Sequence, residues 1–354
     1  MVLIRAVLTG LAVYWFALAR CPKSILNSLR KLIYNFLWGT SGDRGLSHLV
    51  SWESLALPIE FGGWDIKNLE WFGISLRLKS LWLLLTGTGI WSRIIAHKYL
   101  KNRSLDDWIR GRYFSIVGTS YFWNGFIRII GWITCQLGWK VGNGLKIRVG
   151  IDPIAGQKSQ FLLSEELREY LTDLGITHLA HALNLDGCRL DGTEWYSASD
   201  LLLGGSWAKQ WSTYVAGLSH GGIRIGTSED RLLWMFDEQR GVVSAKNAYD
   251  LIVSNYKAVL EYDIMMKIWL FNIPLKIKCF VWLTCNKKIN TWDTLRKKGW
   301  YGPNRCCLCK EEAESVEHLF VSCRFLKEVI GGLSCILNVN LDWCGHTFLE
   351  ILSC

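Results

Sequence analysis

Three cysteines and one histidine near the C-terminus place the tightest constraint on how this chain can fold. Their pattern is C-x2-C-x8-H-x4-C, and the residues are Cys306, Cys309, His318 and Cys323. Thiolates and an imidazole in this order and compact spacing are typical of a tetrahedral zinc site. Because all four positions are filled by protein ligands, no position is left for a substrate. The pattern therefore predicts one structural Zn²⁺ ion.

Cys307 leaves the identity of the first ligand open. A Cys307–Cys309 pair would be a tighter C-x-C, so the usual spacing favours Cys306 and makes Cys307 a spare thiol. The alternative to a metal site is a set of reduced cysteines beside an exposed histidine. Free or metal-bound thiolates persist in reducing compartments, so we expect an intracellular protein of the nucleus or cytoplasm.

An apolar run of 14 residues, at positions 6–19, lies between Arg5 and Arg20. A membrane-spanning helix needs about 20 apolar residues, and shorter runs are more often buried helices. The run therefore predicts a core helix and no membrane partner. The alternative is a signal peptide or membrane segment, because a charged start and an Ala-Leu-Ala ending are also typical of secretory signals.

Composition and periodicity predict an α+β fold that is mainly helical, since the chain has 20 Trp but only 5 Pro. We expect a helical N-terminal part, a small mixed α/β middle with hairpins, and a C-terminal helical module stabilised by zinc. Asn143-Gly144 predicts one hairpin, between residues 139–142 and 145–149. A second hairpin is predicted to join residues 231–236 to 242–243. Three short helices are predicted before the zinc ligands, at residues 263–271, 275–285 and 292–298.

Positive charge is concentrated beside the zinc ligands. Residues 264–310 contain ten Lys and Arg against one acid, whereas residues 311–354 contain two bases against seven acids. Clustered bases predict contacts to the phosphates of RNA or DNA without sequence specificity. The candidate nucleic-acid contacts are Lys276, Lys278, Lys287, Lys288, Arg296, Lys297, Lys298 and Arg305. The interleaved Trp269, Trp282, Trp292 and Trp300 favour a packed core, with stacking on unpaired bases as the alternative.

Several motifs together resemble one known family. Residues 269–282 (WLFNIPLKIKCFVW), residues 291–295 (TWDTL) and the Cys/His pattern are similar to the zinc-binding region of plant reverse transcriptases of non-LTR (LINE-type) retrotransposons. Upstream pieces agree, and the resemblance covers nearly the whole chain. These pieces are residues 21–25 (CPKSI), 35–39 (NFLWG), 50–53 (VSWE), 57–63 (LPIEFGG), 141–144 (VGNG) with Ile147-Arg148, and 244–249 (SAKNAY).

The resemblance implies a division of the chain into five segments. Thumb-like helices of a polymerase would occupy residues 1–40, a helical connector 41–130 and a mixed α/β linker region 131–262. The reverse transcriptase zinc-binding domain would span residues 263–335, and residues 336–354 would form a tail. The parent family is an RNA-directed DNA polymerase, so a partner implied by the resemblance is the polymerase portion that this sequence lacks.

Catalytic carboxylates of the parent family are missing from the sequence. Nucleotidyl transfer needs carboxylates that hold two metal ions, which reverse transcriptases supply partly from an aromatic-x-Asp-Asp turn. The one Asp-Asp pair is Asp106-Asp107, which follows Ser104-Leu105 and is predicted to be a solvated helix start. No endonuclease or ribonuclease H carboxylate set is recognisable. We expect a protein without catalytic residues that binds nucleic acid; the alternative is a zinc-stabilised protein–protein interaction module.

Overall fold

The computed structural model of the chain describes residues 4, 10, 13–38, 49–87, 89–100, 109, 119–156, 162–184, 195–257, 263–340, 343 and 345–353. These residues are mostly helical, as predicted, and include one small two-stranded sheet. In chain order the helices are α1 (Val13–Leu18), α2 (Lys23–Trp38), α3 (Trp52–Leu55), α4 (Leu69–Thr86), α5 (Ile90–Ile95), α6 (Tyr121–Ile127), α7 (Ile130–Thr134), α8 (Glu165–Asp173), α9 (Gly205–His220), α10 (Ala245–Lys257), α11 (Asp263–Leu270), α12 (Leu275–Cys285), α13 (Trp292–Lys297), α14 (Arg324–Leu337) and α15 (Phe348–Ser353). The strands are β1 (Leu137–Lys140) and β2 (Arg231–Trp234).

The chain divides into two compact units. The first unit comprises Met1–Tyr14, Cys21–Phe72 and Ile252–Cys354, and the second comprises Trp15–Arg20 and Gly73–Leu251. Asp106 and Asp107 lie outside the described residues, as does part of the apolar run at 6–19. Within the described ranges, no helix combines the length and the apolar character needed to cross a bilayer. The five-segment division remains a prediction.

Tryptophans form the core of the first unit. The ring of Trp64 lies 5.5 Å from Trp282 and 6.4 Å from Trp269, in both cases edge to face. The indole N–H of Trp282 donates a hydrogen bond to the carbonyl oxygen of Gly62. Two other features require glycine at this position of the LPIEFGG motif: Gly62 has φ +72°, and a Cβ there would overlap the side chain of Met265.

A second apolar core lies in the second unit, where helices α8 and α9 supply Leu167, Trp211 and Tyr214, each less than 1% exposed. Trp139 of strand β1 and Trp195 also belong to this core. Strands β1 and β2 pair antiparallel, with Leu137 opposite Trp234. Burial of large side chains of this kind is the main favourable term in the stability of such a unit.

Helix boundaries near the C-terminus follow the sequence closely. Helix α12 spans the predicted residues, and α11 and α13 each end one residue earlier than predicted. Ser244 caps α10, because its Oγ accepts a hydrogen bond from the backbone N–H of Asn247 over 3.1 Å. Thr291 precedes α13, but its hydroxyl bonds the side chains of Asp293 and Thr294 rather than a backbone N–H.

Both predicted hairpins are wrong in detail. Strand β1 pairs with β2 and not with residues 145–149. The reason is the buried carboxylate of Asp230, which accepts hydrogen bonds from the backbone N–H groups of Gly142 (2.7 Å), Gly144 (2.9 Å) and Lys146 (2.9 Å). These donors are used locally, so residues 142–146 form a loop around the carboxylate. Strand β2 runs into a 3₁₀ turn, Met235–Asp237, and residues 242–243 form no strand.

Replacing Asp230 with alanine leaves up to three backbone donors without an acceptor. Because each hydrogen bond to a charged group contributes about 1.5–3 kcal/mol, we expect the loss of three to lower the free energy of unfolding of this unit by about 4.5 kcal/mol or more. Urea unfolding and hydrogen exchange of the peptide covering residues 137–149 measure the effect.

The matched control is Glu229→Gln at the neighbouring position. Glu229 is exposed and contacts Lys146 over 2.9 Å at the surface, so its loss should change stability by less than about 0.5 kcal/mol. Equal effects of the two substitutions would show that the Asp230 carboxylate does not organise the loop.

Candidate metal centre

The first two ligands lie on a tight turn. The backbone N–H of Cys306 donates to the carbonyl oxygen of Glu312 over 2.8 Å, and the N–H of Lys310 donates to the carbonyl oxygen of Cys306 over 3.0 Å. Lys310 has φ +62°, in the left-handed region, which lets the chain reverse directly after Cys309. This turn brings the thiols of Cys306 and Cys309 to the same side of the loop.

The second pair of ligands lies on a π-helical turn, His318–Ser322. Successive residues of an α-helix rotate by about 100°, so side chains five positions apart would diverge by about 140°. The π turn closes with a bond from the N–H of Cys323 to the carbonyl oxygen of His318, at 2.7 Å, and reduces this divergence. Ser315 precedes the turn, and its Oγ accepts from the N–H of His318 over 3.1 Å.

The four side chains converge to within 4.8 Å of one another at their donor atoms: Cys306, Cys309, His318 and Cys323. The Sγ atoms of Cys306 and Cys323 are 4.0 Å apart, and Sγ of Cys309 is 3.2 Å from Nε2 of His318. Zn–S bonds of about 2.3 Å at tetrahedral angles place two sulfurs about 3.8 Å apart. The donor set and its dimensions therefore fit a single structural zinc ion.

The imidazole of His318 is oriented by Glu312. Oε2 of Glu312 lies 2.9 Å from Nδ1 of His318, and the hydroxyl of Ser322 lies 3.4 Å from the same nitrogen. A carboxylate on one ring nitrogen fixes the tautomer and leaves Nε2 to bind the metal. Sequence spacing did not reveal Glu312, because a second carboxylate, Glu311, stands beside it; only the geometry separates the two.

The thiol of Cys309 has a low pKa. Hydrogen bonds from the backbone amides of Glu312 and Glu311 lower the pKa of Cys309 to about 6, whereas burial raises the pKa of the Cys306 thiol. Cys309 is therefore largely a thiolate at neutral pH, which is the form that binds metal. The loop presents one ligand already deprotonated.

Cys307 takes no part in the cluster. Its side chain is exposed, while Cys306, Cys323 and His318 are buried and Cys309 is partly buried. The sequence favoured Cys306 over Cys307, and the structure places Cys306 among the ligands.

The chain between the two ligand pairs, residues 310–317, is called the zinc loop here, and Glu314 joins it to helix α13. Its side chain is 8% exposed, and its Oε1 accepts from the backbone N–H of Trp292 over 3.2 Å. Its carbonyl oxygen accepts from the N–H of Asp293 over 3.3 Å. Because α13 carries Arg296 and Lys297, the zinc loop also fixes the position of part of the basic segment.

The predicted nucleic-acid contacts are mostly exposed, but several have protein partners. Lys278 is half-buried and donates to the carbonyl oxygen of Trp269 over 2.8 Å, and Lys287 pairs with Glu317 over 2.7 Å. Lys298 donates to Asn290 over 3.2 Å, and Arg305 donates to the carbonyl oxygen of Lys310. The other predicted contacts are all exposed: Lys276, Lys288, Arg296 and Lys297.

The tryptophans of the basic segment are mostly structural. Trp282 is 2% exposed and Trp269 packs with it on Trp64, so both belong to the core, as the sequence favoured. Trp300 differs, because it is 63% exposed. The adjacent Tyr301 is 98% exposed and was not singled out by the sequence pattern.

Comparison with known proteins relates the region around the metal centre to a described protein family. The family model described as "zinc-binding in reverse transcriptase" matches residues 243–329. This region is reverse-transcriptase-related. An Arabidopsis thaliana protein named "Putative ribonuclease H protein" is 26% identical over 327 residues. The alignment covers 91% of this chain and 50% of the relative, so the chain spans about half of the relative's length.

Zinc stoichiometry tests the centre directly. The purified chain should carry one zinc ion by native mass spectrometry, and Cys309→Ser should abolish its retention because the ion loses a thiolate. The protease resistance of residues 300–330 should fall with it, since metal binding stabilises the local fold.

Cys307→Ser is the matched control, because it removes one exposed thiol two positions before Cys309. It should keep one zinc ion and normal protease resistance. Zinc loss in this variant, or its retention in Cys309→Ser, would contradict the assigned ligand set.

Removing the carboxylate that orients His318 should weaken zinc binding without abolishing it. We expect Glu312→Gln to lower zinc affinity by about 10- to 100-fold, measured by competition with a chromophoric chelator. Glu311→Gln is the control, because Glu311 contacts Arg324 at the surface over 3.6 Å and not the histidine. Similar affinities for the two variants would argue against this role of Glu312.

Proposed function

We propose that this chain is a catalytically incomplete, C-terminal part of a plant non-LTR retrotransposon reverse transcriptase, and that it binds RNA or DNA without sequence specificity. The main support is the attachment of a basic helix to a zinc-stabilised loop through Glu314. This attachment holds the backbone that carries Arg296 and Lys297 in place, which lowers the entropic cost of binding a polyanion.

The surface that we assign to nucleic acid comprises the end of α13 and the residues that follow it, ahead of the first zinc ligand. Its members are Arg296, Lys297, Lys298, Trp300 and Tyr301, all of them exposed. Lysine and arginine would contact phosphates, and the two aromatic rings would stack on unpaired bases. We call this set the basic-aromatic surface.

We further propose that the chain performs no polymerase chemistry itself and acts beside a polymerase portion that supplies it, in the nucleus or cytoplasm. The sequence has one Asp-Asp pair, without the aromatic residue of a polymerase turn before it. The ribonuclease H in the name of the Arabidopsis thaliana relative refers to that protein, of which this chain spans about half. Full-length transcripts through the locus test the proposal: an aromatic-x-Asp-Asp polymerase in the same reading frame supports it, and a transcript limited to this chain contradicts it.

A second candidate function is protein binding, and helix α14 favours it. This helix is amphipathic, and its apolar side chains are exposed: Phe325, Val329, Leu333, Ile336 and Leu337. An apolar patch of this kind is a common feature of protein interfaces. Binding through it would depend weakly on salt, in contrast to phosphate contacts.

Charge removal on the basic-aromatic surface tests nucleic-acid binding. The triple variant Arg296→Gln, Lys297→Gln, Lys298→Gln should bind a labelled single-stranded RNA about tenfold more weakly at low salt, measured by fluorescence anisotropy. Each lost phosphate contact should also reduce the slope of log affinity against log salt by about 0.7.

The control is a triple variant with the same loss of charge at exposed positions of the second unit: Lys209→Gln, Arg224→Gln and Lys246→Gln. Both variants should retain one zinc ion. Equal RNA affinities for the two variants, or binding that is insensitive to salt, would refute the nucleic-acid proposal and favour the protein-binding candidate.

A further inference from the structure

A cavity of about 170 Å³ in the second unit has a cationic lining. Its polar lining residues are Arg148, Arg168, Thr172, Thr177 and His178, and the remaining ones are aliphatic. Because a single water needs only about 15 Å³ of such space, the cavity has room for a larger polar group. It belongs to a different unit from the zinc centre.

Backbone pairing holds one arginine of this cavity in place. Arg148 and His178 face each other across an isolated antiparallel bridge, and the N–H of Val149 donates to the carbonyl oxygen of Thr177 over 3.1 Å. Residues opposite each other in an antiparallel pair project to the same face, so both side chains reach the cavity. Arg148 is also part of the Ile147-Arg148 motif, to which neither the zinc centre nor the basic-aromatic surface gives a role.

The second arginine lies on helix α8. Arg168 and Thr172 are four residues apart and therefore lie on the same side of the helix. The hydroxyl of Thr172 donates to the carbonyl oxygen of Arg168 over 2.7 Å. The elements on both sides of the cavity thus hold the backbone of both arginines in place without help from a ligand.

The charge of the cavity is only partly balanced. Nη2 of Arg148 lies 3.7 Å from Oδ1 of the buried Asp152. Arg168 has no ion-pair partner among the described residues, and Nε of each arginine is buried without a hydrogen-bond partner in that same part of the chain. A buried donor left without an acceptor costs about 1–3 kcal/mol, so an acceptor group bound here would be stabilised.

We propose that this cavity binds a phosphate group between Arg148 and Arg168. The planar guanidinium group donates paired hydrogen bonds to phosphate oxygens, and two arginines against one carboxylate leave net positive charge. The phosphate belongs to one of two sources, the backbone of a nucleic acid or a free phosphate such as that of a nucleotide. The site rests on the cavity itself and does not depend on the zinc centre or on the basic-aromatic surface.

The test uses the full chain and inorganic phosphate, titrated by isothermal calorimetry at constant ionic strength. Arg168→Gln should weaken phosphate binding about tenfold, because it removes the charge and the paired donors. Arg168→Lys keeps the charge, is less disruptive to folding, and should weaken binding by a smaller factor. Arg224→Gln, at an exposed position of the same unit, is the control and should bind like the wild type.

Single-stranded RNA and an uncharged methylphosphonate analogue of it separate the two sources. If the cavity takes a backbone phosphate, Arg168→Gln weakens RNA binding more than Arg224→Gln does, and neither variant affects the analogue. If it takes a free phosphate, only the calorimetric titration changes. The site is disproved if Arg168→Gln and Arg168→Lys bind both phosphate and RNA with the same affinities as Arg224→Gln. This outcome is independent of the result for the basic-aromatic surface.

Discussion

Four donor atoms must meet at one point, and this requirement determines the local structure of residues 306–323. The reversal at Lys310 and the π turn His318–Ser322 are unusual backbone conformations, and each brings one pair of ligands together. Free energy released on binding zinc becomes free energy of folding in such modules, which compensates for local strain. The effect extends further through Glu314, because helix α13 is bonded to the same loop.

Local signals in the sequence predicted the helices around this centre well. Helix α12 follows Pro274, which sets its first residue, and its apolar run fixes its length. The loop at Asn143-Gly144 shows where such signals fail. Its turn residues are typical of a hairpin, but its amides bond Asp230, a carboxylate more than 80 positions away. A contact so distant in sequence leaves no trace in a short window, and it changes the pairing of the strand.

The metal site likewise has features that the local sequence predicts and features that only the three-dimensional structure reveals. The spacing of Cys309, His318 and Cys323 was sufficient to predict zinc, since ligand type and order are properties of the sequence. Spacing favoured Cys306 over Cys307 but left the choice open. It also did not point to Glu312 rather than Glu311. In both pairs the residues are identical and adjacent, so they differ only in the direction in which the backbone orients their side chains. Exposure and distance decide both questions.

Cys323 immediately precedes helix α14, so one zinc ligand lies at that helix's N-terminus. Three thiolates and a neutral imidazole around Zn²⁺ sum to one net negative charge, and the N-terminal end of a helix favours negative charge. With zinc bound, the centre would carry a net negative charge beside the N-terminal end of this helix, whose backbone dipoles favour it. A centre of this charge would not itself attract phosphate, so any attraction for a polyanion in this region would come from the lysine and arginine side chains.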